Sequence, residues 1–267
     1  KDRLWTIDPA GTIQLATNTP IRQTPQRQVA QVINSRPNNG GPNPTEAEIT
    51  EEIKSAMISI SYRTSRENVE KAIVVHDYKL TQEQMRMTLS SKSGIGSNIA
   101  KTAIDNGYEP KIDEVNKWID LNNSHADKVI AYAATKGAFI PDTTQTLVML
   151  ERGYKKSGVA NENSDQQACH EVVLAGVKAG VVLDSEARSK LIATAAPSSY
   201  KALNASIDNT GQLVQDQIDI IQKQIDDGVL KYRMYNLKCT VAKHGSALLA
   251  NGGDYPKIED ELVISAI

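Results

Sequence analysis

Four stretches of this chain close alike: Ile99-Ala100-Lys101-Thr102-Ala103-Ile104-Asp105-Asn106-Gly107, Ile130-Ala131-Tyr132-Ala133-Ala134-Thr135-Lys136-Gly137, Val173-Leu174-Ala175-Gly176-Val177-Lys178-Ala179-Gly180 and Leu203-Asn204-Ala205-Ser206-Ile207-Asp208-Asn209-Thr210-Gly211. Each is a small, apolar helical turn that ends on glycine, the residue best able to take the left-handed backbone that closes a helix. A short apolar link and a new helix start follow, as in Ile112-Asp113-Glu114, Ile140-Pro141-Asp142 and Leu183-Asp184-Ser185-Glu186. The glycines recur about every thirty residues, except where a polar insertion after Gly153, running to Ser164, widens one interval. This spacing predicts a mainly α chain of stacked helical hairpins, a degenerate helical repeat.

Apolar stripes at three-and-four spacing extend the pattern in both directions. They predict helices over 45–61, 65–75, 81–90, 97–106, 113–121, 125–136, 143–152, 165–179, 185–195 and 200–226, the last broken near Gly211. Pro44-Thr45-Glu46-Ala47-Glu48 marks where the helices begin, with Thr45 as N-cap and Glu48 three positions on completing a capping box. The division expected is an extended N-terminal arm over 1–44, a helical body over 45–228 and a C-terminal segment over 229–267.

The arm differs in kind from the body. Leu4 to Leu15 has the β-branched and apolar residues of a short hairpin turning at Asp8-Pro9-Ala10-Gly11, and Pro20, Pro25, Pro37, Pro42 and Pro44 forbid a continuous helix beyond it. Residues 26–33 read as a strand or a short helical piece. The arm carries Trp5, Ile7, Val29, Val32 and Ile33, apolar residues that imply burial against something, together with Arg22, Arg27 and Arg36. At the other end, 229–241 alternates like a strand while its Ala-rich continuation to Ala250 also allows a helix. The chain then finishes on the strand-like, apolar Leu262, Val263, Ile264 and Ile267.

Composition narrows the function classes. Apolar residues make up 40% but aromatics only 4%, with Phe139 the single phenylalanine, so the core must be built from Ala, Ile, Leu and Val on closely approaching helices. A net charge of -2 argues against a surface devoted to nucleic acid or anionic membrane. No apolar run reaches the roughly 20 residues of a bilayer span, so a soluble protein with no membrane span is expected. The start at Lys1 rather than methionine leads us to expect that something upstream has been removed.

The thirty-residue period over about 80–211, with a glycine after the second helix of each unit, resembles ankyrin repeats and implies helical packing of that kind. The Thr-Pro-Leu-His start of that family is absent, its nearest counterpart being Ile140-Pro141-Asp142, and no binding residue is carried over.

Chemically active groupings are few. Cys169-His170 has the residue types of a thiolate nucleophile and its base, but neighbours on a helix point about 100° apart and cannot bond to one another as catalysis requires. His244 near Cys239 meets the same objection, and two cysteines are too few for a disulfide framework, though one bridge between them is possible. His76, His125, His170 and His244 lack metal-ligand spacing. Ser93-Gly94-Ile95-Gly96-Ser97-Asn98 could cradle an anion, but it lacks the phosphate-loop lysine and reads as a glycine turn between paired helices. The glutamates Glu46, Glu48, Glu51 and Glu52 suit a helix N-terminus.

The function expected from these readings is that of a non-enzymatic structural subunit of a larger assembly, such as a virion, phage particle, filament or secretion machine. It would use no cofactor and would partner itself and other assembly proteins. The expected interface is Trp5, Ile7, Arg22, Arg27, Val29, Val32, Ile33 and Arg36 of the arm with Leu262, Val263, Ile264 and Ile267 of the tail. The alternatives are a monomeric helical-repeat adaptor for a partner protein, and a nucleoprotein that binds RNA or DNA through the basic arm.

Overall fold

The computed structural model describes residues 5–7, 13–15, 42–58, 62–90, 94–156, 163–194 and 196–210, with the single positions 217, 220 and 223 beyond them. The chain divides into two units, Lys1–Pro42 and Asn43–Ile267. In the first, strands β1 (Trp5–Ile7) and β2 (Ile13–Leu15) pair antiparallel, with Trp5 opposite Leu15 and Ile7 opposite Ile13. The Asp8–Gly11 turn, the proline-rich remainder of the arm and the segment 229–267 lie outside the described residues.

The second unit is mainly helical. Its described helices are α1 (Glu46–Ile58), α2 (Tyr62–His76), α3 (Gln82–Ser90), α4 (Gly94–Asp105), α5 (Ile112–Asp120), α6 (Ser124–Lys136), α7 (Thr143–Lys155), α8 (Ser164–Lys178), α9 (Ser185–Thr194) and α10 (Pro197–Thr210). The capping box read at Thr45 is present: the Thr45 amide donates to Glu48 Oε2 at 2.7 Å, and the Glu48 amide donates to Thr45 Oγ1 at 3.3 Å. Asn123, Asp142 and Asn163 cap α6, α7 and α8 through their side-chain oxygens.

Three of the four glycine closures fall on described residues, and all three are left-handed, with φ of 90° at Gly107, 73° at Gly137 and 105° at Gly180. The backbone bonds repeat as well. The glycine amide donates to the carbonyl three residues back, and the next amide donates five back: Tyr108 to Ala103 at 2.9 Å, Ala138 to Ala133 at 3.0 Å, Val181 to Gly176 at 3.0 Å. This is the Schellman closure, which satisfies carbonyls that the helix itself leaves open. Gly211 lies outside the described residues. Asp77 and Asn122, with φ of 53° and 48°, take the same conformation after α2 and α5; short polar side chains tolerate it better than most, so these closures carry no glycine.

Consecutive helices pack together, α1 on α2, α3 on α4, α5 on α6, α7 on α8 and α9 on α10. Even-numbered helices also pack in succession, α2 on α4, α4 on α6, α6 on α8 and α8 on α10, while α1 packs on α3, α3 on α5 and α7 on α9. The core is rich in small side chains, as the composition requires: Ala100 and Ala103 of α4, Ala131, Ala133 and Ala134 of α6 and Ala168 of α8 are all buried. Short side chains at a helix contact bring the axes together.

Two glycine readings are corrected. Gly94-Ile95-Gly96 is not a turn but the first turn of α4; a methyl group on Gly96 would lie 1.8 Å from the Thr88 carbonyl oxygen of α3, so the glycine permits a backbone-to-backbone approach. Gly153 does not open a loop, because α7 continues to Lys155 and its backbone passes close to Cys169 and His170 of α8, where a methyl group would meet His170 Nε2 at 2.9 Å. The helix expected over 200–226 begins three residues earlier, with Pro197 in its first turn, where the missing N–H costs nothing.

These two kinds of glycine should separate on substitution. Gly96→Ala must push α3 and α4 apart and should destabilise by about 3 kcal/mol, whereas Gly137→Ala, with open space but a left-handed backbone, should cost about 1–2 kcal/mol. Urea unfolding followed by far-UV circular dichroism checks the order.

Candidate functional site

Of the expected interface residues, Trp5 and Ile7 fall in β1, and Arg22, Arg27, Val29, Val32, Ile33, Arg36, Leu262, Val263, Ile264 and Ile267 lie outside the described residues. The features of the body that bear on function are an edge built from helix starts and a buried ionic cluster.

The edge rests on side-chain amides. Gln84, three residues after the N-cap of α3, donates from Nε2 to Glu46 O at 3.3 Å and Thr50 Oγ1 at 3.0 Å in the first turns of α1, and its Oε1 accepts the Thr81 amide at 2.9 Å. Gln145 stands at the same place in α7: Nε2 donates to Ile112 O at 3.2 Å and Asn116 Oδ1 at 2.9 Å in α5, and Oε1 accepts the Asp142 amide at 3.1 Å. Gln217 Nε2 reaches the first residue of α9, donating to Ser185 O at 3.1 Å. Gln84 and Gln145 therefore each cap their own helix with the side-chain oxygen and tie down the preceding odd-numbered helix with the nitrogen. Glu114 holds the corresponding position in α5, buried, with the Tyr108 hydroxyl donating to it. Burial pushes its carboxyl above the ordinary range, and the tyrosine bond offsets part of that rise.

These bonds expose a register that the glycine spacing hid. Tyr78-Lys79-Leu80-Thr81-Gln82-Glu83-Gln84, Tyr108-Glu109-Pro110-Lys111-Ile112-Asp113-Glu114, Phe139-Ile140-Pro141-Asp142-Thr143-Thr144-Gln145 and Val181-Val182-Leu183-Asp184-Ser185-Glu186-Ala187 align position for position. The first residue packs on the core, the third and seventh are buried, the fourth precedes the helix, and the second and fifth are exposed. At those exposed places stand Ile140 and Val182, each 65% exposed, and Ile112, 50% exposed. On α7 the exposed Leu147 and Val148 follow. Leu or Pro four residues before a glutamine or glutamate, as at Leu80–Gln84, Pro110–Glu114 and Pro141–Gln145, is the sequence signal that marks this edge.

The ionic cluster joins α5, α6, α7 and α8. Asp127, 1% exposed in the first turn of α6, accepts from Arg152 Nη1 and from Lys156 Nζ at 3.1 Å. Arg152 Nη2 also donates to Ile119 O at 2.9 Å, a carbonyl that the end of α5 leaves open. Cys169 Sγ lies 4.0 Å from Asp127 Oδ2, while the neighbouring His170 turns its Nδ1 to Ser198 Oγ at 2.7 Å. The two therefore face different partners, as their helical spacing requires. Burial, reinforced by the Asp127 carboxylate, pushes the Cys169 thiol up to about 12. A thiol so held is protonated at neutral pH and is a poor nucleophile. The arrangement ties four helices together around one carboxylate.

Among the described residues no three His, Cys, Asp or Glu side chains converge as a metal site would need, and no helix is long and apolar enough to cross a membrane. No protein-family model, curated protein or solved structure matches the chain.

Asp127→Ala leaves the largely covered Arg152 guanidinium without its buried carboxylate, and should destabilise by about 3 kcal/mol in denaturant unfolding. The Cys169 proton carries a separate signature. The folded thiol titrates above the unfolded one, so the folded state holds an extra proton from about pH 9 to about 12 and stability falls as pH rises through that window. Cys169→Ala should flatten this part of the pH–stability curve; equal alkaline slopes in both proteins would disprove the assignment.

Proposed function

We propose that the chain is a non-enzymatic structural subunit of a larger assembly, of the kind found in a virion, a filament or a secretion machine. In this reading its body is a stack of helical hairpins, its arm over 1–44 and its apolar tail tie copies together, and its partners are itself and other assembly proteins. The observation that carries the proposal is where the buried polar groups of the body spend their bonding capacity. Gln84, Gln145 and Asp127 all bridge one helix to another, and the one buried cysteine among the described residues is held as a neutral thiol. Groups committed in this way stiffen a scaffold and are unsuited to changing protonation state or partner during a reaction.

A second reading, a monomeric adaptor, draws support from the exposed Ile112, Ile140 and Val182, which a partner protein could cover. Solution state separates the two. Removal of residues 1–44 should leave the helical circular dichroism of the body in place while abolishing assembly in light scattering. A shortened chain that assembles as the full one does would refute the first reading, and a full chain that stays monomeric at high concentration would favour the second.

A further inference from the structure

The edge of helix starts combines two properties that seldom coincide on a surface exposed to water. Ile140 and Val182 stand 65% exposed at the second place of their segments, before α7 and α9, and Ile112 50% exposed at the fifth, the first residue of α5. Around them the same short segments carry Glu109, Asp113, Asp142, Asp184 and Glu186 against the single cation Lys111. Gln145, bonded to the first carbonyl of α5, and the packing of α9 on α7 hold these starts side by side. The edge is thus apolar at intervals and acidic between.

We propose that this edge receives the stretch 22–36 of a second copy of the chain. The proposal rests on the assembly reading and names the surface that the arm engages. Residues 22–36 contain Arg22, Arg27 and Arg36, the apolar Val29, Val32 and Ile33, and no acidic residue, which complements both properties of the edge. The other apolar candidate, Leu262-Val263-Ile264, follows directly on Glu259-Asp260-Glu261 and would bring like charge to an acidic surface. Reach is sufficient. With α7 and α9 packed and Gln145 bonded to Ile112, about 10 Å between neighbouring starts makes a span of about 20 Å, and ten residues such as 27–36, fully extended, cover about 33 Å.

Complementation between two full-length variants tests this directly. Ile140→Asp/Val182→Asp spoils the edge and keeps the arm; Arg27→Glu/Arg36→Glu spoils the arm and keeps the edge. Each alone should self-associate at least tenfold more weakly than the parent in sedimentation velocity, with unchanged far-UV circular dichroism. Mixed in equal amounts, they should form a species of twice the 29.1 kDa chain mass, because one supplies the arm and the other the edge. If the aspartates lower the helical signal, Ile140→Ser/Val182→Ser takes their place. A mixture that stays monomeric, or an edge variant that assembles like the parent, overturns the proposal. In the second case, loss of assembly on removing 1–44 would leave the assembly reading standing; normal assembly of that shortened chain would remove the reading itself.

Discussion

A carboxamide placed three residues into a helix has two obligations that a single neighbour cannot meet: its oxygen can cap the helix it begins, but its nitrogen still needs acceptors. In this protein the acceptors are backbone and side-chain oxygens in the first turn or turns of another helix. Gln84 spans α3 and α1, Gln145 spans α7 and α5, and the nitrogen of Gln217 donates to Ser185 at the start of α9. Because the groups are buried, failure to pair them would cost about 1–3 kcal/mol apiece, which penalises any slip between the helices they join. The rest of the body follows from that constraint. Helix starts come into line, the left-handed closures at Gly107, Gly137 and Gly180 turn the chain back toward that line, and the exposed residues between closure and cap gather along one edge.

The even-numbered helices meet a different demand. They pack in succession with buried alanines, while the consecutive pairs α3–α4 and α7–α8 close on glycines placed where a side chain would strike the neighbour, Gly96 against Thr88 and Gly176 against Thr146. Close packing of this kind leaves little room for relaxation, so the buried carboxylate of Asp127 is paired with Arg152 of α7 and with Lys156 at its C-cap. A buried carboxylate with two cations is costly to assemble and more costly to break, which gives the α6, α7 and α8 contact a defined register. The same burial that fixes this register leaves Cys169 without nucleophilic character.

Much of the fold was legible because it rests on local rules. Gly107, Gly137 and Gly180 announced their closures through the lack of a side chain, and Thr45 with Glu48 announced a capping box, since both depend on residues within one or two turns of each other. Asp77 and Asn122 were missed because a left-handed Asp or Asn has no spelling that separates it from an ordinary surface residue. Gly96 reads in sequence as part of a turn and Gly153 as the edge of a polar insertion, when both are helical and admit a neighbouring helix. The edge was only half visible: Ile112, Ile140 and Leu183 were read as links between helices, but nothing in the linear order shows that Gln145 will bond the carbonyl of Ile112.

The sequence by itself determined that the chain is mainly helical, where most helices start and stop, and that its core is made of small side chains, because caps, glycine closures and apolar stripes act over a few residues. Tertiary structure alone decided which glycines turn and which make room, why the Cys169 thiol holds its proton, and which exposed apolar residues share an edge. Those properties depend on the distance between helices that are remote in the chain, and distance is what a linear pattern does not contain.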